Sequence, residues 1–410
     1  MPKYSRYLLV GSLEANTGKS ATVLGLASQL REKGLPIVYG KPLGNSIGED
    51  YAKNAQVGDA DVEFIASTLE LPPDLLLPTI LCVDEQSIET GLSVGKDSSA
   101  KTLRDRTVTG RSGLLEIYSQ VPSDSLVLLE GPGTLAEGSL FNLSLLQIAT
   151  VVEAAVLLVA RFNSEGMVDG LLSAKQRLGD RLVGVLINDI TNEKRGNVQQ
   201  TIVPFLEAQG IPVLGRLPRS NLLQSVSVFE LVQQLDAEVL CCPDRLDLMV
   251  ESLRIGAMNV NSALKYFAKG ENMAVVTGGD RTDMQLAALE TSTQCLVLTG
   301  LIPPSEMILN RAEELEVPIL SVDKDTLSTV EIIDSTFGRV RLREPVKVEC
   351  IQKLMASHFD IDRLLELLGR IPECGEERTV GWEGLKVNRE QRRKAAKKKG
   401  KGDRGIGGNN

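Results

Sequence analysis

The chain has 410 residues, 42% hydrophobic and 24% charged, with a formal net charge of −9 at pH 7. That length accommodates two ordinary domains, each with its own core. A single histidine, His358, and six cysteines without any C-x-x-C pair exclude most zinc sites and Ser/Cys-His catalysis, and they read as reduced cytosolic thiols. No run reaches the 18 apolar residues of a membrane helix, and the N-terminus lacks a long apolar signal region, so a cytoplasmic protein that does not engage a membrane is expected.

In chain order, "YLLV" (Tyr7–Val10) reads as a strand and leads into "GSLEANTGKS", followed by a helix with Val23, Leu26, Ala27 and Leu30 on one face. Gly34 ends that helix and "IVYG" (Ile37–Gly40) opens the next strand. Further strands are expected at "LVLLEG" (Leu126–Gly131), "AVLLVA" (Ala155–Ala160), "VGVLIN" (Val183–Asn188) and "PVLGRLP" (Pro212–Pro218). Continuous apolar strands separated by helices imply a parallel, doubly wound sheet buried on both faces. A second, shorter series follows at "MAVVTGG" (Met273–Gly279), "CLVLTG" (Cys295–Gly300) and "PILSV" (Pro318–Val322), with helical stretches around Met284–Glu290 and Ser305–Leu315. The fold class is therefore α/β. Domains are expected over residues 1–235 and 236–350, then a helical extension over 351–385 and a basic, Gly-rich, disordered tail over 386–410. That tail holds ten Lys/Arg against two Asp/Glu, a net of +8, leaving −17 on the rest of the chain. Any nucleic-acid binding would be weak and confined to the tail.

The loop before the first helix matches a phosphate-binding loop imperfectly. The standard pattern is Gly-x4-Gly-Lys-Ser/Thr; counting back from Gly18-Lys19-Ser20 puts Leu13 where the first Gly belongs. The position between an apolar strand and an amphipathic helix is nonetheless the one the mechanics require. Backbone N–H groups at a helix N-terminus wrap a phosphate, the Lys neutralises it and the hydroxyl takes Mg²⁺. Lys41 in "GKPLG" and Glu130 in "LVLLEGPG" emerge at the same carboxyl edge of the sheet. A carboxylate directly after four buried apolar residues is costly unless used, so Glu130 reads as a Mg²⁺ ligand or water-orienting group. In "VGDADVEF", Asp59 and Asp61 are open to two roles, helix N-cap or metal ligand.

Together "LLVGSLEANTGKS", "GKPLG", "LVLLEGPG", "GVLIND" and "VLGRLPRS" resemble the dethiobiotin synthetase-like P-loop proteins, and within them the N-terminal part of long bacterial phosphate acetyltransferases. That group uses irregular phosphate loops. The resemblance implies that Glu14, Asn16, Thr17, Gly18, Lys19 and Ser20 contact ATP, that Lys41 contacts phosphate, and that Ser20, Asp61 and Glu130 hold Mg²⁺. Lys19, Lys41 and Glu130 would carry any catalysis. It also implies that Asn188 reads the adenine, although a turn residue at a strand end accounts for it too, and that the protein is a homodimer. Residues Gly256–Glu331, including "TGGDRTD" (Thr277–Asp283), resemble a DRTGG domain, a regulatory module. This loop is open to two readings, an anion or nucleotide site and a tight turn with a structural Asp280–Arg281 pair. The catalytic domain of the acetyltransferases has no counterpart in these residues, so acetyl transfer is not implied. The function expected is a Mg·ATP-binding regulatory protein whose DRTGG part takes a small molecule or protein partner; the alternative is an ATP-dependent ligase acting on a small carboxylate or amine.

Overall fold

A computed structural model of the protein describes residues 6–45, 59–93, 114, 118, 121, 125–337 and 344–369. The expected basic tail lies outside the described residues, as do residues 370–385 of the expected helical extension. The described residues fall within one compact unit, and among them no helix is long and apolar enough to cross a membrane.

The six apolar runs of the first series become strands, and a short pair of leucines adds a seventh: β1 (Tyr7–Ser12), β2 (Ile37–Gly40), β3 (Leu76–Leu77), β4 (Leu126–Glu130), β5 (Ala155–Arg161), β6 (Leu182–Ile190) and β7 (Val213–Pro218). Their order is β3-β2-β4-β1-β5-β6-β7, with every pairing parallel. Strands buried on both faces cannot alternate polar and apolar residues, which is why the sequence is continuous here. Leu8 and Val10 of β1 enter one core and Leu9 the other, because successive strand side chains point to opposite faces. Beside β1 the chain stops building toward β3 and begins building toward β7. Ligands of open α/β sheets sit at that reversal, outside the carboxyl ends of the strands.

Helix α1 (Lys19–Glu32) covers one face of the sheet, burying Val23, Leu26, Ala27 and Leu30 as the periodicity requires. Helix α2 (Ala60–Thr68) follows β2 on that face, whereas α3 (Leu145–Val151) and α4 (Met167–Leu178) cover the opposite one.

The second series forms a smaller sheet from β8 (Glu238–Cys241), β9 (Ser252–Ile255), β10 (Met273–Gly278), β11 (Thr293–Thr299) and β12 (Ile319–Val322). The order is β8-β12-β11-β10-β9, parallel except for the edge strand β8. Helices α5 (Val228–Leu235) and α9 (Thr326–Thr336) pack on one face, and α6 (Val260–Phe267), α7 (Thr282–Leu289) and α8 (Glu306–Glu314) on the other. The fold class read from the sequence, a doubly wound parallel sheet followed by a smaller α/β domain, is the one observed.

The chain then doubles back. Helix α10 (Pro345–His358) and helix α11 (Ile361–Leu368) leave the second domain and pack on α1 and the first sheet, burying Ile351, Met355, Phe359, Leu364, Leu365 and Leu368 in the first core. The contact is close because Gly25 of α1 has no side chain: a Cβ there would lie 2.4 Å from Met355 Cγ. Lys347 of α10 is fully buried and donates from Nζ to the Ser225 carbonyl at 2.8 Å, tying α10 to the segment that joins the two domains. His358 is exposed at the end of α10.

Candidate functional site

The loop between β1 and α1 takes its shape from two left-handed residues, Asn16 (φ 56°) and Gly18 (φ 95°). Gly18 is the residue that admits this backbone at little cost. No side chain caps α1 and no acidic residue occupies its first turn, so its free N–H groups and positive dipole end face the cleft. Lys19 Nζ donates to the buried Ser12 Oγ at 3.1 Å, and that hydroxyl lies 2.8 Å from the carbonyls of Glu14 and Gly133. Burial pulls the Lys19 pKa down, opposed chiefly by the charge of Glu130. Leu13, standing in place of the motif's first glycine, packs against the opposite core, beside Gly170 of α4. The irregular spacing therefore leaves the helix-proximal half of the loop intact.

Glu130 ends β4 beneath this loop. Its Oε1 accepts from Ser20 Oγ at 2.8 Å and its Oε2 from the Tyr39 hydroxyl at 3.2 Å. Burial raises the Glu130 pKa, with Lys41 and Lys19 pulling it back only in part. Burial and the neighbouring Glu130 carboxylate push the Tyr39 phenol well up, so it remains a donor. Lys41 is nearly buried. Its ammonium lies 2.9 Å from Asp59 and 2.6 Å from Asp61, and Asp59 also N-caps α2 by accepting from Asp61 N at 2.9 Å. Burial alone would lower the Lys41 pKa, but Glu130, Asp61 and Asp59 together hold it above the ordinary range.

Ser20 and Glu130 form an all-oxygen donor pair at the phosphate loop. Magnesium is a hard ion bound through one or two carboxylates with several waters retained, so this pair fits it. Asp61 lines the same cleft, with its carboxylate on Lys41. Among the described residues no three or more His, Cys, Asp or Glu form a metal-holding group, so an ion here would rest on few protein ligands.

The cleft has a volume of about 330 Å³ and runs from Lys41 to the ends of β5, β6 and β7. It gathers Asn16, Thr17, Gly18, Lys19, Ser20, Lys41, Asp61, Glu130 and Asn188. Glu14 is not among them; it lines a neighbouring cavity across the loop. Asn188 is on the cleft wall, with Nδ2 donating to the Thr17 carbonyl at 2.9 Å.

Sequence reasoning missed the far end of the cleft. There Asp189, buried at the end of β6, accepts from Arg161 Nε at 2.8 Å, Arg219 Nε at 2.7 Å and Gln224 Nε2 at 3.0 Å. Although burial opposes its charge, the two arginines hold the Asp189 pKa below the usual carboxylate value. The signal available was a charged residue at or one position beyond the end of each of three apolar runs. Ile351 of α10 also lines the cleft; nothing in an ordinary amphipathic helix marks such a residue.

In the second domain the loop Thr277–Asp283 connects β10 to α7. Arg281 pairs with Asp283 at 3.1 Å, where the tight-turn reading pairs it with Asp280, and donates to the Met258 carbonyl at 3.0 Å. Gln285, fully buried, donates to the carbonyls of Gly278 and Gly279 at 3.1 and 3.0 Å. These bonds hold the loop from beneath.

A family described as "AAA domain" matches residues 6–227, and one described as "DRTGG domain" matches residues 230–336. The phosphate acetyltransferase of Nitratidesulfovibrio vulgaris is 24% identical over 379 residues, covering 88% of this chain and 51% of its own length. The phosphate acetyltransferase of a Synechocystis species is 25% identical over 384 residues, covering 90% and 52%. The chain thus spans about half the length of these relatives. Among solved structures, the CBS and DRTGG domains of the regulatory region of Clostridium perfringens pyrophosphatase, complexed with the activator diadenosine tetraphosphate, align with 42% of this chain and 86% of their own at 20% identity and a TM-score of 0.25.

Proposed function

The chain belongs to the AAA domain family over residues 6–227 and carries a DRTGG domain over residues 230–336, and from that pairing we propose that it is a Mg·ATP-binding regulatory protein. The observation that carries this reading is the Ser20–Glu130 pair, 2.8 Å apart beneath an uncapped helix N-terminus in a cleft of about 330 Å³. The N–H groups of Gly18, Lys19 and Ser20 would receive the phosphates, with Lys19 supplying charge. Ser20 and Glu130 would hold magnesium, aided by Asp61. Bound there, the ion would supply positive charge that neutralises the phosphates. Asn188 and the Arg161–Asp189–Arg219 group would border the base.

Lys41 is held by Asp59 and Asp61, a closed arrangement that a phosphate group would compete to open. The DRTGG domain would take a second ligand or a protein partner, and α10 offers a physical connection: Lys347 holds it to the segment that joins the two domains, and Ile351 lines the cleft. A homodimer in the cytoplasm is part of this proposal, as is slow or absent turnover of ATP alone.

Thermal unfolding with and without Mg·ATP tests it. Ligand at a hundred times its Kd stabilises by about 2.7 kcal/mol, and Lys19→Ala should abolish that shift. No shift in the wild-type protein overturns the reading. Phosphate release that depends on an added carboxylate or amine would instead support a ligase.

A further inference from the structure

Tyr39 and Glu130 share one face of the first sheet. β2 and β4 run parallel with Tyr39 opposite Leu128, and side chains two apart on a strand point the same way. Glu130 therefore lies on the face of the Tyr39 ring, one step nearer the carboxyl edge. The ring is fully buried among the apolar residues beneath α1, and its hydroxyl donates forward to Glu130 Oε2 at 3.2 Å. Ser20, in the first turn of α1, donates to the other oxygen, Oε1, at 2.8 Å. The two ammonium groups nearby are engaged elsewhere, Lys19 on the Ser12 hydroxyl and Lys41 on Asp59 and Asp61. Glu130 is thus held at both oxygens, one from the core and one from the phosphate loop.

Phenylalanine would fill the same space without the cost of burying a hydroxyl, so the tyrosine at this position is explained by what its oxygen meets. With Oε2 on Tyr39 in the core, Oε1 is the carboxylate oxygen beside Ser20. A single oxygen from each carboxylate suits magnesium, which is small and demands near-ideal octahedral geometry. Calcium takes more oxygens and accepts both from one carboxylate. We propose that Tyr39 is a positioning residue that keeps Glu130 to one available oxygen and so makes the nucleotide site select magnesium over calcium. The proposal rests on the Mg·ATP reading and adds to it the residue that sets the choice of ion.

The full chain is titrated with ATP by calorimetry in magnesium, in calcium and with chelator alone, as wild type, Tyr39→Phe, Glu130→Gln and the double variant. The wild type should bind ATP more tightly in magnesium than in calcium. Tyr39→Phe keeps the ring and should weaken binding in magnesium about tenfold, as expected for loss of a group that orients a metal ligand. It should also narrow the difference between the two ions and leave binding with chelator unchanged. On the Glu130→Gln background it should have no further effect, because it acts through that carboxylate. An equal loss in all three conditions, which a merely structural role predicts, overturns the proposal. So does an unchanged preference for magnesium in Tyr39→Phe, or equal affinity of the wild type in magnesium and calcium. These three results leave the Mg·ATP reading standing. A wild type that binds no ATP, or binds it equally in magnesium and in chelator, overturns that reading and this proposal together.

Discussion

Asn188, at the carboxyl end of β6, donates its amide to the Thr17 carbonyl at 2.9 Å and so holds the phosphate loop from a strand two places away in the sheet. The same amide nitrogen would lie 2.7 Å from a Cβ on Gly18. A side chain at position 18 therefore meets two obstacles, the left-handed backbone and the Asn188 amide. Gly18→Ala should cost about 1–3 kcal/mol in thermal or urea unfolding, whereas Asn188→Ala should cost about 1 kcal/mol. Adding Asn188→Ala to Gly18→Ala removes the steric part only, so the double variant should recover part of the single variant's loss.

Glu130 is the group on which divalent-ion dependence should turn. In Glu130→Gln the stabilisation by Mg·ATP should fall toward that by ATP with chelator, read as a Tm shift in both conditions. The pH response has a definite sign. A carboxyl group whose folded pKa is raised contributes stability that is present below its unfolded pKa and lost as pH rises through the folded value. The wild type should lose that contribution on going from acid toward neutral pH, and Glu130→Gln should show a flatter profile over the same range.

Asp189 should behave in the opposite sense. Its folded pKa is lowered, so its contribution is present above its unfolded pKa and is lost as pH falls through the folded value, below about 4. Asp189→Asn should flatten the acid limb of the stability profile. It should also cost about 1–3 kcal/mol at pH 7, below the range for a fully buried ion pair, because Arg161 and Arg219 are partly exposed and screened.

The two C-terminal helices should be indispensable to a domain that lies more than a hundred residues earlier. Met355→Ala removes a fully buried side chain seated over Gly25 and should cost about 2–5 kcal/mol by denaturant unfolding. A chain ending at Leu235 leaves the outer face of α1 uncovered and should not unfold cooperatively. The same chain with residues 344–369 supplied as a peptide should recover a transition.

Much of the fold was legible because parallel strands buried on both faces impose continuous apolar runs. Those runs at Ile37–Gly40, Ala155–Ala160 and Met273–Gly278 lie in β2, β5 and β10. The short β3 and the edge strands β8 and β9 had no comparable signature, since a few residues at a sheet margin carry no pattern that outweighs loop composition. The loop could be read past its irregular Leu13 because its shape resides in the backbone at a helix start, which depends on the left-handed Gly18. Tyr39 is a different case: a tyrosine inside an apolar strand reads as core, and only β2–β4 pairing places its hydroxyl on Glu130.

The sequence by itself determined which segments are strands, where the loop lies and which polar residues stand at strand ends, because these follow from local periodicity and from glycine's freedom. Only the tertiary structure decided what those end groups meet: Lys41 on Asp59 and Asp61, Asp189 between two arginines, Glu14 in a cavity away from the cleft. It alone returned α10 to the first sheet, bringing Ile351 to a loop more than three hundred residues earlier. Such contacts arise from packing between segments distant in the chain, and apolar burial, being non-directional, specifies that a helix face be covered without specifying by what.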